Sequence, residues 1–370
     1  MLPRGPKIHS SPAKLPRGTR IVDSIASATR ELFFIEHPRV RKDDPELRQK
    51  LSAFTRAKKI KSVWVYYPWL KVAVRMPRED IYFKLRTASN RNLITEKEQK
   101  AYRKAVVGIA GLSVGSAAAG ALTLTGGPKV LKIADADVIE TTNLNRIRAK
   151  LPDIGANKAD VAARNIWELD PFMDIRLFRE GLTEKNLHSF LTAKPKLDIF
   201  VDEMDDIAMK IETRLLCRTL RIPVLMATDN GDGAILDVER YDRDQKLPLF
   251  HGRVGTKPPR HIEKKDGPRW AAKIIDPAYL TERQQDSLLG IGKTLAGVAQ
   301  LGTAASIAGA AIAFAVRRIA NKQPLPSGRY RLGTEEALIP GYNSVAERKR
   351  RSKHTQNFAD TLGLKVKCGR

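Results

Sequence analysis

The residues best suited to chemistry lie where polar groups follow two successive apolar runs. The first run, residues 105–110, leads into the turn Gly-Leu-Ser-Val-Gly at 111–115 and then into a segment of small residues. A turn from a strand into a helix leaves free N–H groups and the positive end of the helix dipole, which together can hold a phosphate. Gly111, Ser113 and Gly115 are therefore candidates for phosphate contact, although the same spacing also suits a tight turn without a ligand.

The second apolar run ends on Asp135 and Asp137. In dinucleotide-binding folds an acid at this point bonds the ribose hydroxyls, although such a pair also caps turns. Asn143 and Arg146 follow, and the planar guanidinium of arginine suits phosphate oxygens. Lys158 opens a predicted helix, where the helix dipole disfavours a cation unless a phosphate is bound nearby.

A further acidic cluster follows the apolar run at residues 197–201 and contains Asp205. Carboxylate oxygen suits Mg²⁺, which usually takes one or two carboxylates from the protein and completes its shell with substrate phosphates and water. An acidic helix N-terminus would explain the same cluster without a metal. We predict that Asp205 binds Mg²⁺ beside the phosphates.

The turn at 111–115 also matches the Gly-x-Ser-x-Gly nucleophile elbow of hydrolases, which lies between a strand and a helix. A hydrolase would need a histidine after a later strand, and His251 is the candidate. Cys217 lies among leucines in a predicted helix, so we expect it to be buried and inert. Cys217 and Cys368 are too few for a disulfide framework or a zinc site made of cysteines, and they fit a reducing compartment.

The elements that would position these residues alternate between strands and helices from residue 105 to residue 239. This order predicts a Rossmann-like α/β fold, a doubly wound and mainly parallel sheet with helices on both faces. Ligands of such sheets lie beyond the carboxyl ends of the strands, which is where Gly111, Asp135 and Asp205 fall.

The flanking regions are predicted to be a small α/β lead-in before the sheet and a helical region after it. Residues 295–316 are rich in Ala and Gly and long enough to span a bilayer. Their weak hydrophobicity, with Gly297, Gly302 and Gly309, favours a closely packed helix inside a protein, so we expect no membrane partner.

The formal net charge is +25, from 66 basic and 41 acidic residues. Part of this excess lies at the two ends of the chain, and such basic ends are usually solvated and disordered. The basic run 348–351 has no interleaved aromatic residues, so we expect no specific nucleic-acid partner. The opening residues are basic and rich in Pro and Gly rather than apolar, which favours a cytoplasmic protein.

Residues 88–252 resemble the adenylating domain of the ThiF/MoeB/E1 family, the ubiquitin-activating-type enzymes. The motifs that carry the resemblance are the glycine loop 111–116, Asp-Ala-Asp at 135–137, Asn-Leu-Asn-Arg at 143–146, Gly-Ala-Asn-Lys at 155–158 and Asp-Asp at 205–206. The resemblance implies an enzyme that uses ATP and Mg²⁺ to convert a carboxylate into an acyl-adenylate, with release of pyrophosphate. It also implies a homodimer whose substrate is the C-terminus of a small ubiquitin-like or sulfur-carrier protein or peptide.

The same resemblance implies two groups of site residues. The expected nucleotide-binding residues are Gly111, Ser113, Gly115, Asp135, Asp137 and Asn143. The expected catalytic residues are Arg91, Arg146, Lys158 and Asp205. Arg91 would reach the phosphates across the dimer, and Asp205 would be the magnesium ligand.

The chain also departs from the family pattern. Its glycine loop is one residue shorter than the usual form, Ser113 replaces a glycine, and Asp206 stands where asparagine is more frequent. Residues 246–252 hold none of the CxxC pairs with which many members bind zinc. No downstream cysteine matches that of the thioester-forming members, so adenylation without an enzyme thioester is expected.

Two other functions stay open. A glycine turn followed by a strand-end acid would also serve an NAD- or FAD-dependent oxidoreductase, and a non-catalytic scaffold could retain the ThiF fold. The predicted organisation of the chain is a disordered basic tail at 1–20, a small α/β region at 21–88, an adenylation domain at 89–252, a loop and helical region at 253–340 and a basic tail at 341–370.

Overall fold

The computed structural model describes residues 5–255, 262–263 and 266–365, and the chain forms two compact units. One unit contains the chain up to Lys100 together with Ala163–Met173. The other contains Ala101–Ala162 and the chain from Asp174 onward. The predicted boundaries at 88/89 and 252/253 stay predictions.

The first unit is built on a four-stranded sheet with the order β1-β3-β4-β2. Strand β2 runs parallel to β4, and the other neighbours are antiparallel. Alternating aromatic and β-branched residues form β3, as expected for a strand with one buried face. In chain order its elements are β1 (Lys7–His9), β2 (Arg20–Asp23), α1 (Ile25–Glu36), α2 (Leu47–Lys58), β3 (Ser62–Tyr67), β4 (Val72–Pro77) and α3 (Glu79–Arg86).

The prediction of a disordered tail over residues 1–20 is wrong for the described part of that segment. Strand β1 pairs with β3, with Lys7 opposite Tyr66. A short 3-10 helix follows at Pro12–Lys14, where the side chain of Ser11 accepts a hydrogen bond from the N–H of Ala13 at 3.3 Å. The segment is ordered by backbone pairing at a sheet edge, which needs few apolar side chains and leaves no clear signal in the composition.

The second unit is built on a seven-stranded sheet with the order β11-β10-β9-β8-β5-β6-β7, flanked by helices. Helix α4 (Glu96–Lys104) precedes the sheet. The sheet and its helices comprise, in chain order, β5 (Val106–Ala110), α5 (Val114–Leu124), β6 (Val130–Ala134), α6 (Lys158–Leu169), β7 (Asp174–Phe178), α7 (Glu184–Thr192), β8 (Ile199–Asp202), α8 (Ile207–Thr219), β9 (Val224–Asn230) and β10 (Gly233–Glu239). The C-terminal elements are α9 (Gly267–Ile275), α10 (Glu282–Gly290), α11 (Gly302–Ala320), β11 (Gly328–Leu332), α12 (Thr334–Leu338) and α13 (Val345–Thr361).

The strand directions confirm the predicted Rossmann-like fold. Strands β7, β6, β5, β8 and β9 are parallel neighbours, whereas β10 and β11 add an antiparallel edge. The chain runs outward from β5 to β7 and then returns to β8 on the other side of β5. This reversal opens a crevice at the carboxyl ends of β5 and β8, the usual ligand position in such sheets.

Helix α11 passes the length and hydropathy test for a membrane span, with a mean hydropathy of 1.3, but half of its tested window is buried within the unit. It packs against α5, β9 and β10. A Cβ added at Gly309 would lie 2.7 Å from the carbonyl carbon of Ala117, so the two helices can approach only because position 309 is glycine. The predicted buried helix is confirmed, although it begins at Gly302, and Gly297 lies outside it.

Two C-terminal elements correct the sequence predictions. Strand β11 was not predicted in the helical region 253–340, because its polar residues pair at the sheet edge with β10. The tail predicted at 341–370 contains α13, which Ser344 caps and which buries Phe358 and Ala359. Few apolar residues are needed to dock a helix on one face, so its basic composition concealed it. Cys368 lies outside the described residues.

The close approach of Gly111 to the segment after β8 gives a first prediction. Gly111 has a φ of +85°, and an added Cβ would lie 2.1 Å from the carbonyl oxygen of Glu203. Gly155 has a similar φ of +82° with nothing within 4 Å, so Gly155→Ala is a matched control that adds backbone strain alone. We expect Gly111→Ala to lower the free energy of unfolding by about 1 to 3 kcal/mol more than Gly155→Ala does. Urea denaturation measures both, and equal losses would show that the approach tolerates a side chain.

Candidate functional site

A cavity of about 470 Å³ opens at the carboxyl ends of β5, β8 and β9 in the second unit. This volume lies in the range of small-molecule sites. One side of the cavity carries polar and charged side chains from the strand ends, and the other side is mainly apolar. Four of the predicted site residues line it together: Ser113, Arg146, Lys158 and Asp205.

The glycine loop brings the N-terminus of α5 to this cavity. The N–H of Gly111 donates to the carbonyl of Ala134 at 2.9 Å, and the helix begins at Val114, which lines the cavity beside Ser113. Gly111 and Gly115 are not among the lining residues; an added Cβ at Gly115 would lie 2.9 Å from Ile109. Both glycines therefore shape the loop, and their contact with a nucleotide stays a prediction.

Arg146 is held against the glycine loop. Its Nε donates to Oγ of Ser113 at 2.9 Å, and its Nη1 donates to the carbonyl of Thr142 at 3.1 Å and to Oδ1 of Asn145 at 3.0 Å. Nη2 makes no hydrogen bond within the described part of the chain. The hydrogen bonds of Nε and Nη1 thus fix the position of the guanidinium, and Nη2 can donate a hydrogen bond to an anion in the cavity.

Asn143 supports the loop that carries Arg146. It is buried, and its Oδ1 accepts from the N–H of Glu140 at 3.1 Å. Its carbonyl accepts from the N–H groups of Arg146 and Ile147 at 3.1 and 2.9 Å. Asn143 is not a lining residue of the cavity, so its predicted contact with the nucleotide stays a prediction, whereas its role in folding this loop is evident.

Asp135 ties the end of β6 to the glycine loop. Its Oδ2 accepts from the N–H of Leu112 at 2.6 Å, and its Oδ1 accepts from the N–H of Asp137 at 2.8 Å. Burial raises the pKa of Asp135, against the effect of these two N–H groups and of Lys158. Each carboxylate oxygen retains a lone pair, so Asp135 can still accept hydrogen bonds from a ligand.

Lys158 has a protein counter-ion at the start of α6. Its Nζ lies 2.8 Å from Oδ2 of Asp137, and its backbone N–H donates to the carbonyl of the same residue at 2.9 Å. Asp137 therefore compensates for the unfavourable interaction of Lys158 with the helix dipole. From the sequence, we expected a bound phosphate to do this. The Asp137 side chain is 71% exposed, so the ion pair lies at the solvent edge, where Lys158 can change partners.

The two aspartates after β8 have different roles. Asp206 is the N-cap of α8 and accepts from the N–H of Met209 at 3.0 Å. Asp205 is exposed, lines the cavity and makes no ion pair or side-chain hydrogen bond within the described residues. No cluster of three or more His, Cys, Asp or Glu suited to a metal exists in the described chain. A single free carboxylate fits a Mg²⁺ ion that arrives with phosphates rather than one held by protein ligands alone.

A buried charge network that the sequence did not reveal lies beneath the cavity. Arg214 is fully buried and contacts Asp202 and Glu239, with its Nε 2.6 Å from Oε2 of Glu239. Lys210 donates to Oδ1 of Asp202 at 3.1 Å and lines the cavity floor. Burial would raise the pKa of Asp202, but Lys210 and Arg214 hold it below its usual value. In the sequence Lys210 and Arg214 resemble two exposed cations on one helix face, and only their spacing hinted at a common partner.

Two acidic residues of the cavity wall were also missed. Oε1 of Glu203 accepts from the N–H of Ala227 at 2.8 Å, and burial raises the pKa of Glu203 well above its usual value. Asp229 at the end of β9 is 4% exposed, and burial raises its pKa to about 6, against the effects of Arg146 and Gln300. Its Oδ2 accepts from Nε2 of Gln300 at 3.3 Å, whereas Oδ1 is buried without a partner among the described residues.

The geometry does not support the hydrolase and thiol hypotheses. Oγ of Ser113 accepts from the guanidinium of Arg146, with no imidazole of the described chain near it to take its proton, and Nε2 of His251 lies 2.9 Å from Asp237. No histidine lines the cavity within the described residues. Cys217 is fully buried as predicted, and burial raises the pKa of its thiol, which disfavours the reactive thiolate.

Arg91 belongs to the first unit. It is exposed and follows the 3-10 helix Ala88–Asn90. The role that the sequence suggested for it, contact with phosphates across a dimer, stays a prediction.

Comparison with known proteins places the chain in a family. The profile of the ThiF family matches residues 87–338, and the chain belongs to this family. It is 38% identical over 278 residues to an uncharacterized protein, MT1398, of Mycobacterium tuberculosis (strain CDC 1551 / Oshkosh), covering 74% of this chain and 38% of that protein. It is 32% identical over 147 residues to the tRNA threonylcarbamoyladenosine dehydratase of Bacillus subtilis (strain 168), covering 38% of this chain and 56% of the relative.

A third relative carries an activity in its name. The chain is 30% identical over 135 residues to the sulfur carrier protein ThiS adenylyltransferase of Escherichia coli (strain K12), covering 36% of this chain and 51% of that protein. The chain thus spans only 38 to 56% of the length of these three curated relatives.

The buried carboxyl group of Asp229 gives a pH-dependent prediction. Its pKa is about 6 in the folded chain against a reference value of 3.8, so its contribution to stability is greatest at low pH and is lost as pH rises through 6. Asp229→Asn removes the cost of the buried charge. We expect the variant to exceed the wild type in free energy of unfolding by about 1 to 3 kcal/mol at pH 8, and by less than about 1 kcal/mol at pH 4. Denaturant titrations at the two pH values measure this difference, and a pH-independent difference would contradict it.

Proposed function

We propose that this chain is an ATP-dependent adenylyltransferase that activates a carboxyl group as an acyl-adenylate and releases pyrophosphate. The observation that carries the proposal is one cavity that combines the N-terminus of α5 with Arg146, Lys158 and Asp205. Membership of the ThiF family and the name of the ThiS adenylyltransferase among the relatives support the same chemistry.

The reaction asks for positioning and charge stabilisation rather than for a protein nucleophile. An oxygen of the substrate carboxylate bonds to the α-phosphorus of ATP, and the bond from that phosphorus to the bridging oxygen breaks. Pyrophosphate leaves with the electron pair, and the negative charge spreads over the phosphate oxygens. Cationic groups that are in place once ATP is bound stabilise this charge in a partly enclosed cavity, because they need no reorganisation during the chemical step itself.

The positive groups have distinct tasks. The free N–H groups of the first turn of α5 would bond phosphate oxygens, and Nη2 of Arg146 would bond a further oxygen beside them. Lys158 would move from Asp137 to the phosphates, which carry more charge. Asp135 and Asp137, with Asn143, would then hold the nucleoside side of ATP, and the backbone at Gly111 and Gly115 would approach the phosphates.

Asp205 is the residue suited to Mg²⁺. Its free carboxylate lines the same cavity as Ser113 of the glycine loop, and one carboxylate is enough for an ion that also binds phosphates. Mg²⁺ would neutralise charge on the departing pyrophosphate. The chain's own task at this position is to hold one carboxylate oxygen towards the phosphates, and Asp206 anchors the adjoining helix.

The proposed partner is a small carrier protein or peptide with a free C-terminal carboxylate. Two further predictions come from the sequence alone. One is a homodimer in which Arg91 of one subunit reaches the phosphates bound by the other, and the second is a cytoplasmic location. The chemistry requires no nucleic acid and no membrane.

Exchange of labelled pyrophosphate into ATP tests the adenylation step. With a panel of carrier proteins and C-terminal peptides, we expect exchange that depends on the carboxylate. Asp205→Asn should lower the exchange rate about 100-fold or more, because it weakens the group that holds Mg²⁺. Asp206→Asn is the matched control, because it removes one negative charge at the adjacent residue. Asparagine caps a helix as well as aspartate does, so the start of α8 should be unchanged.

Equal effects of the two substitutions would contradict the role of Asp205. Absence of exchange with every carboxylate, in a protein that binds ATP, would favour the non-catalytic scaffold. A rise in melting temperature with NAD but not with ATP would favour the oxidoreductase, since a specific ligand stabilises the folded state by mass action.

A further inference from the structure

The cavity has an apolar half that phosphate binding does not use. It is formed by α9, by α10 and by the chain between residues 291 and 300. None of the residues that these segments contribute to the cavity is charged, and Gln284 and Gln300 are the polar ones among the described lining residues. The apolar side chains that matter most here are Ala271, Ile274, Leu280, Leu288, Ile291 and Val298.

We propose that this apolar half, together with Asp229, is the subsite for the acyl substrate and selects an α-amino-acid unit with an apolar side chain. The unit is either a free amino acid or the C-terminal residue of a peptide, since both place an N–H group one carbon from the carboxylate. The inference rests on the proposed adenylation and names the substrate class of the same site.

The position of the apolar half favours this assignment. Arg146, Lys158 and Asp205 occupy the side of the cavity formed by the strand ends, where the phosphates would lie. With the nucleoside of ATP held at Asp135 and Asp137, as proposed above, the space beside α9 and α10 is left for the substrate that brings its carboxylate to the α-phosphate. The apolar wall of this half favours ligands that remove its surface from water. A substrate with a branched or aromatic side chain buries more of that surface than a glycine residue does.

Asp229 supplies the second, independent observation. It is 4% exposed and lines the cavity, and its Oδ1 is buried without a hydrogen-bond partner among the described residues. Buried acceptors in folded proteins are nearly always paired with protein groups or water, so this oxygen is available to a donor that enters the cavity. The N–H group beside the carboxylate of an amino acid or a peptide is such a donor. Asp229 and Arg146 line the same cavity, so a substrate whose carboxylate meets phosphates at Arg146 can place its N–H group at Asp229.

A panel of small carboxylates tests the chemistry directly. The probes are leucine, N-acetyl-leucine, glycine, N-acetylglycine and 4-methylpentanoate, which has the shape of leucine without its N–H group. Pyrophosphate exchange and calorimetric binding are measured for each. We expect the leucine compounds to have a KM at least about 10-fold below that of the matching glycine compounds, and 4-methylpentanoate to bind about 10-fold more weakly than the better leucine compound. Preference for leucine identifies a free amino acid, and preference for N-acetyl-leucine identifies a peptide terminus.

Substitutions in the subsite test the residues. Ala271→Trp places a large side chain in the apolar half, and Ala278→Trp is the matched control at an exposed position outside the cavity. We expect Ala271→Trp to raise the KM of the leucine substrate at least 10-fold with the KM of ATP unchanged, and Ala278→Trp to change neither. Asp229→Ala should also raise the KM of the leucine substrate, whereas Asp229→Asn keeps an acceptor and should restore most of the affinity. Circular dichroism and melting temperatures establish that each variant is folded.

The outcomes separate this inference from the proposed function. Exchange without preference for leucine over glycine, or with no effect of Ala271→Trp, would overturn the subsite and leave adenylation standing. Binding of a leucine compound that Ala271→Trp abolishes, without any exchange, would support the subsite and overturn adenylation. Neither binding nor exchange with any probe would overturn the subsite, and carrier proteins would then decide on adenylation alone.

Discussion

The site depends on one close contact, the packing of the glycine loop against the chain that leaves β8. The backbone N–H of Glu203 donates to the carbonyl of Ala110 at 2.8 Å. Gly111, which follows Ala110, lies against the carbonyl of Glu203 and leaves no room for a side chain. This contact turns the chain into α5 and places Ser113 where Arg146 can bond it. The same segment directs Glu203 towards β9 and leaves Asp205 at the cavity. A single steric constraint therefore sets the positions of Ser113, Arg146 and Asp205, the groups that we propose bind the phosphates and Mg²⁺.

The charges around this contact are arranged in two layers. Below the cavity, Arg214 joins Asp202 to Glu239 in a fully paired and buried network. Such networks add little net stability, but removal of one member would leave a buried charge unpaired. Around the cavity, by contrast, Asp205 and the Oδ1 atom of Asp229 are unpaired within the described structure. The paired layer keeps the strand ends rigid, and the unpaired groups are the ones available to ligands.

The sequence was sufficient where local patterns decide structure. Alternating apolar runs and helical segments predicted the parallel sheet, and because parallel strands end at one edge, they also predicted that Gly111, Asp135 and Asp205 lie there. Of these three, Asp205 lines the cavity. The sequence was insufficient where burial depends on distant segments. In the sequence, Asp229 resembles an ordinary acidic residue at the end of a strand. Its burial comes from residues between 267 and 300 and could not be predicted from its neighbours. Strand β11 was missed because it is defined by its pairing with β10, in which Arg329 lies opposite Asp237, 92 residues earlier in the chain.

The central claim is that the crevice beside β5 binds ATP with its phosphates at the N-terminus of α5. A crystal structure of the protein with Mg²⁺ and a non-hydrolysable ATP analogue tests it most directly. We expect the phosphates to lie against the first turn of α5 and Nη2 of Arg146, the metal ion to lie on Asp205, and the apolar half of the cavity to stay open beside the α-phosphate. A nucleotide bound elsewhere, or one whose phosphates point to solvent while Arg146 and Asp205 keep their present surroundings, would contradict it.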